Sequence, residues 1–106
     1  MIIGIPREIK KDEYRVAMLP VGIELLRKDG NRILFQKGAG SGSGYADDAY
    51  TAAGAELVDS AAEIYAQAEM IIKVKEPQPE EIVRFRPGLI VFCYFHFAGS
   101  RALTEA

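Results

Sequence analysis

The sequence predicts an α/β fold: a doubly wound, mostly parallel sheet with helices on both faces, of the flavodoxin or Rossmann-like kind. Two observations carry this. Apolar runs of strand length alternate with segments of helical periodicity along the whole chain, and right-handed crossovers are the workable way to connect such an alternation. The last run, Leu-Ile-Val-Phe-Cys-Tyr-Phe from Leu89 to Phe95, is apolar at every position, which predicts a central strand covered on both sides.

The strands are expected at Ile2–Ile5, Ile33–Phe35, Glu56–Val58, Met70–Val74 and Leu89–Phe95. Between them the helices carry their own punctuation. Pro20 suits a first helical position and Gly30 fits just past the end of that helix. Asp47 is expected to cap a short helix that Gly54 closes. Ser60 with Glu63 has the spacing of a capping box, which satisfies two backbone donors at a helix start. Pro77, Pro79 and Pro87-Gly88 bracket a short helix around Glu81.

At 106 residues the chain is of single-domain length, and its 49% apolar content suffices for a core. A net charge of -2 argues against nucleic acid, which would call for a basic face, and against an anionic membrane surface. Cys93 is the single cysteine, so no intramolecular disulfide and no cysteine-based metal site are expected. The opening MIIGIPREIKK has the wrong order of charge and apolarity for a secretory signal, and no run reaches membrane-spanning length, so the cytoplasm is the expected location. The final stretch, Ser100–Ala106, reads as a helix opening without a stop signal, which suggests a piece of something longer.

The segment KGAGSGSGYADD, from Lys37 to Asp48, invites a phosphate-cradle reading and fails it. A dinucleotide fingerprint needs G-x-G-x-x-G, and starting from Gly38, Gly40 or Gly42 the third position is Ser43, Tyr45 or Asp47. Asp47 and Asp48 would also repel a phosphate at the next helix N-terminus. The run is expected to be a connection whose glycines permit unusual backbone or close packing.

In doubly wound sheets ligands gather outside the carboxyl ends of the strands. The first strand leads into a polar loop with Glu8, Glu13 and Arg15. The fourth ends in Lys73, Lys75 and Glu76, and the fifth delivers Tyr94 and the only histidine, His96. Lys73 and Lys75 alternate onto one face; Lys73 is expected in water, and Lys75 to reach the crevice. His96 either finds a partner in the core or faces a cavity. Tyr94 is explained by packing or by a ligand contact. Arg15, Lys75 and His96 together suit a small anionic oxo acid: a guanidinium to grip a carboxylate, an ammonium as a point charge, an imidazole to exchange a proton.

At these residues the chain resembles the N-terminal part of the alanine dehydrogenase family, which also takes in the alpha subunits of nicotinamide nucleotide transhydrogenase. The likeness runs through IIGIPREIKKDEYRVAMLP, QKGAGSGSGYADDAY, AGAELVDSAAEIYAQAEMIIKVKEP and FRPGLIVFCYFHFA. It implies that residues 1–106 form an incomplete substrate-binding lobe, that Arg15 and Lys75 hold the substrate, and that His96 is the acid/base. It further implies reversible oxidative deamination of L-alanine to pyruvate and ammonia with NAD. The cofactor would be bound mainly by a second domain outside this chain, with no cofactor-binding residue and no metal here, in a homo-oligomer, possibly a hexamer. Leu19 stands where the family commonly has a hydroxyl cap, and CYFHFA where it more often has TYLHLA. The pairing of Lys75 with His96 separates the amino-acid enzymes from the transhydrogenase subunit. A phospho-acceptor signalling domain, with Asp59 as acceptor, is the reading from another class.

Overall fold

The computed structural model describes residues 1–10 and 13–93. Tyr94, Phe95, His96, Phe97 and the helix expected at Ser100–Ala106 lie outside the described residues. Five parallel strands form one sheet: β1 (Ile2–Ile5), β2 (Arg32–Gln36), β3 (Glu56–Val58), β4 (Met70–Lys73) and β5 (Ile90–Cys93), in the order β3-β2-β1-β4-β5. That is the Rossmann-type order, in which the chain winds outward from β1 through β2 to β3 and then crosses back to β4. β1 is central, with Ile5 opposite Phe35 on one side and Gly4 opposite Ile71 on the other.

Helices cover both faces. On one side α1 (Pro20–Lys28) and α2 (Asp47–Ala53) lie over Ile3, Ile5, Ile33, Phe35 and Ile72, with Ile23 and Tyr50 buried between. Tyr50 stacks on Phe35 with ring centroids 3.8 Å apart, and its hydroxyl donates to the Met18 carbonyl at 2.9 Å. On the other side α3 (Ala61–Gln67) buries Ile64 and Tyr65 against Leu34 and Ile71. A fourth short helix, α4 (Pro79–Ile82), follows β4.

The punctuation holds with two amendments. Pro20 opens α1 and Leu19 supplies no side-chain cap, as its apolar side chain requires; the Ser60 hydroxyl caps α3 by accepting from the Glu63 amide at 3.3 Å. Asp47, however, is the first residue of α2 and not its cap. Its carboxylate instead accepts from the Gly38 amide at 2.8 Å, and Ala46 stands at the cap position without a side-chain bond. The second amendment concerns β5, expected at the centre of the sheet. Among the described residues it is an edge strand paired with β4, and Ile90 and Phe92 are about half exposed. An apolar run reports the chemistry of a strand's two faces and is silent on its neighbours in the sheet.

Candidate functional site

The strand order reverses direction between β1 and β4, so the loops leaving those two strands diverge and leave a crevice at their carboxyl ends. Glu8, three residues past β1, spans it. One carboxylate oxygen, Oε1, accepts from Lys73 Nζ at 2.9 Å and from the Lys75 amide at 3.2 Å. The other, Oε2, accepts from the Val74 amide at 3.0 Å. Lys10 pairs with Glu76 a little further out, and that contact holds the Glu76 carboxyl below its ordinary range. Two carboxylate–cation contacts therefore stitch the loop after β1 to the loop after β4.

Lys73 corrects the expectation that it sits in water. Only 1% of it is exposed, and its ammonium lies between Glu8 and Glu81 Oε2, the latter at 3.0 Å. The Tyr65 hydroxyl donates to the same Glu81 oxygen at 3.3 Å, and burial, then the adjacent carboxylate, push its phenol well up. The Gln78 amide donates to the other Glu81 oxygen at 2.9 Å at the start of α4. Among the described residues no buried side-chain nitrogen or oxygen lacks a partner, the condition under which buried charges are tolerated. β4 also ends at Lys73, so the two-residue alternation linking it to Lys75 does not extend that far. Lys75 is half-buried just beyond the strand.

Arg15 lies further along the loop after β1, with its side chain 66% exposed. Its guanidinium is held edge-on by Glu13: Nε donates to Oε2 at 3.0 Å and Nη2 to Oε1 at 2.9 Å, and the Arg15 amide also donates to Oε2 at 2.9 Å. The side-chain bond to Arg15 is the main reason that the Glu13 carboxyl falls from 4.5 to about 2, and the charge of Lys75 contributes in the same direction. Glu13 thus binds one of the three sequence-predicted residues, Arg15, directly; Lys75 contacts Glu8 through its backbone amide. His96 lies outside the described residues.

A pocket of about 190 Å³ opens between the loops after β1 and β2, lined among others by Arg7, Glu8, Lys10, Glu13, Arg15 and Gly42; Lys75 lies beyond that lining. The glycine run forms its far wall. A Cβ on Gly42 would stand 2.3 Å from the Tyr14 carbonyl oxygen, and one on Gly40 would stand 2.5 Å from the Tyr50 ring. The Ser43 hydroxyl accepts from the Val16 amide at 3.3 Å. The glycines are there so that this loop can press against the segment carrying Arg15. The Gly38 N–H is taken by Asp47, and the Ser41, Ser43 and Gly44 amides are taken by carbonyls within the loop.

Sequence reasoning missed Glu8 and Glu13 as site residues. The only signal was their presence in a polar loop at a strand's carboxyl end; what each binds is decided by the fold. Asp59, the acceptor in the signalling-domain reading, sits exposed at the end of the edge strand β3 and pairs with Lys37 at 2.7 Å. The observed strand order also differs from the 2-1-3-4-5 order of that class.

The fold is a doubly wound α/β domain of the Rossmann type, with a charged crevice at its topological switch point. The chain belongs to the family described as alanine dehydrogenase/PNT, N-terminal domain, which matches residues 4–106. It is 49% identical to the alanine dehydrogenase of Bacillus subtilis (strain 168) over 106 residues, and 48% identical to that of Methanococcus maripaludis. In both cases the match takes in 100% of this chain and 28% of the relative, so the chain spans less than a third of the length of these relatives. A solved L-alanine dehydrogenase superposes with a TM-score of 0.92 at 41% identity, covering 99% of this chain and 29% of that one. The transhydrogenase from Sinorhizobium meliloti follows, with a TM-score of 0.90 at 30% identity over 97% of this chain and 29% of that one.

Proposed function

We propose that residues 1–106 form the substrate-binding lobe of a cytoplasmic, homo-oligomeric, NAD-dependent alanine dehydrogenase, which interconverts L-alanine with pyruvate and ammonia. Arg15 binds the substrate carboxylate, Lys75 supplies a second positive charge, and His96 exchanges the proton. The observation that most supports this is the pocket beside the loop after β1, where Arg15 stands with its guanidinium gripped by Glu13 and its side chain still largely exposed. NAD supplies the hydride chemistry, and it is held mainly by a second domain, since the glycine run here is filled by its own packing. The crevice alone binds and orients the acid; without the second domain this chain is inactive.

The chemistry fits the residue types. A guanidinium fork matches a planar carboxylate, and an ammonium next to a partly covered site keeps an anion in place. An imidazole titrates near neutrality, so it can take a proton from the amine side of the reaction and return it on the oxo-acid side. The relatives and the solved L-alanine dehydrogenase support this reading over the transhydrogenase subunit, whose strongest support is the closeness of the fold.

The test uses the complete gene product. Alanine-dependent reduction of NAD is expected, and hydride transfer between two nicotinamides is not. His96→Ala and Lys75→Ala should each lower kcat/KM by about 10²–10⁴, the usual cost of losing a proton-transfer group or a charge held at the reacting centre. Arg15→Ala should act mainly through the KM for pyruvate. Wild-type kinetics in the lysine and histidine variants would refute the assignment.

A further inference from the structure

We propose that Glu13 is a positioning residue that sets both the orientation of Arg15 and the charge class of acid the crevice accepts. The inference rests on the alanine dehydrogenase reading and deepens it. A guanidinium has two edges that can each hold a carboxylate in parallel, the Nε–Nη2 edge and the Nη1–Nη2 edge. Glu13 takes the first of these through both its oxygens. Among the described residues Arg15 forms an ion pair with no other carboxylate, and its side chain remains largely exposed while that of Glu13 is only 4% exposed. The covered carboxylate thus fixes the guanidinium plane from behind and leaves the Nη1–Nη2 edge for a ligand. A third bond, from the Arg15 amide to Glu13 Oε2 at 2.9 Å, fixes the backbone in the same act.

The second consequence is one of charge. Arg15 and Lys75 would together suit a dianion, but the Glu13 carboxylate, gripped through both its oxygens by Arg15, cancels one of their two charges. What remains matches an acid with one carboxylate and penalises an acid with two. Oxo acids of the pyruvate type are therefore favoured over oxo-dicarboxylates by an electrostatic term, independent of any limit on side-chain size.

The experiment compares Glu13→Gln and Glu13→Asp with wild type in the complete gene product, measuring pyruvate KM and kcat and the inhibition constant of oxaloacetate, the dianion probe. Glu13→Gln removes charge and bidentate grip together. It should raise pyruvate KM about tenfold with the effect falling on KM and not on kcat, as for one charge-assisted contact no longer held in place. The ratio of the oxaloacetate inhibition constant to pyruvate KM should fall about fivefold, because a dianion gains more than a monoanion from loss of the carboxylate. Glu13→Asp keeps the charge but shortens the reach, so pyruvate KM should rise while the ratio stays at its wild-type value. An unchanged pyruvate KM, or an unchanged ratio in Glu13→Gln, overturns the inference in an enzyme that is otherwise active. If Glu13→Gln does not fold, Glu13→Asp decides: a raised KM at constant ratio supports the inference and an unaltered KM overturns it. A wild-type protein that does not oxidise NADH with pyruvate overturns the functional reading itself, and this inference with it.

Discussion

Glu8 and Glu13 leave the same loop after β1, and each holds a cation, yet the two pairs do different work. Glu8 and Lys73 are both buried, and the pair makes further contacts with Val74, Lys75 and Glu81. Glu13 is covered, but its partner Arg15 faces outward with part of its guanidinium uncommitted. Burial on both sides makes a pair structural; burial on one side presents the other partner to a ligand. In a sheet whose crevice is lined by both kinds, charge alone does not identify the site.

The strongest way to break that comparison is to remove the structural cation. Lys73→Met leaves Glu8 and Glu81 buried without their shared ammonium, and removing one partner of a buried pair typically costs about 3–5 kcal/mol. Urea denaturation should show that loss as a lower midpoint at unchanged slope. Arg15→Ala, at the other pair, should lower the midpoint by less, since Arg15 itself faces solvent and pairs with an exposed partner contribute less to stability. If both substitutions destabilise alike, the distinction between the two pairs fails.

A smaller effect is expected at the glycine wall. Gly42→Ala introduces a Cβ that would stand 2.3 Å from the Tyr14 carbonyl oxygen, a backbone atom that moves only if the Arg15 segment moves with it. Overpacking of this kind costs about 1–3 kcal/mol, and the displacement should raise pyruvate KM in the complete gene product. A variant with wild-type stability and wild-type KM would show that the wall does not hold the loop.

The fold was readable because strand-length apolar runs and helix punctuation are local. Pro20, Ser60 and the β1, β3 and β4 segments were legible from a few neighbouring residues each. The errors share one physical origin. Lys73 looked like a solvated lysine because its partner Glu8 is 65 residues away in sequence. Asp47 looked like a cap because the Gly38 amide that captures it belongs to a preceding loop. β5 looked central because periodicity does not count strand neighbours. At the site, Arg15 and Lys75 could be chosen as candidates from their places at strand ends and their chemistry. Glu13 could not, since its role depends on a bidentate geometry that exists only once the loop has folded back over its own arginine.

The subtlest test of the comparison is the titration of Glu13. Its carboxyl stands at about 2 in the folded protein against an ordinary 4.5, held down first by the Arg15 side-chain hydrogen bond. A carboxyl whose folded value is depressed contributes stability that is fully present above the unfolded value and lost as pH falls toward the folded one. The Glu13–Arg15 contribution should accordingly be intact above about pH 5 and disappear between that point and pH 2. Carbon-13 NMR of the side-chain carboxyl should give a midpoint near the folded value of about 2. Arg15→Ala should move it back up toward the ordinary range and Lys75→Ala should move it less, because the lysine acts only through space. An ordinary midpoint in the wild-type protein would break the clamp outright. With the clamp intact, Glu13 stays ionised throughout the neutral range, so a pH dependence of turnover near neutrality has to come from another group. The imidazole of His96, the proposed proton-exchanging group, is the one whose replacement should abolish it.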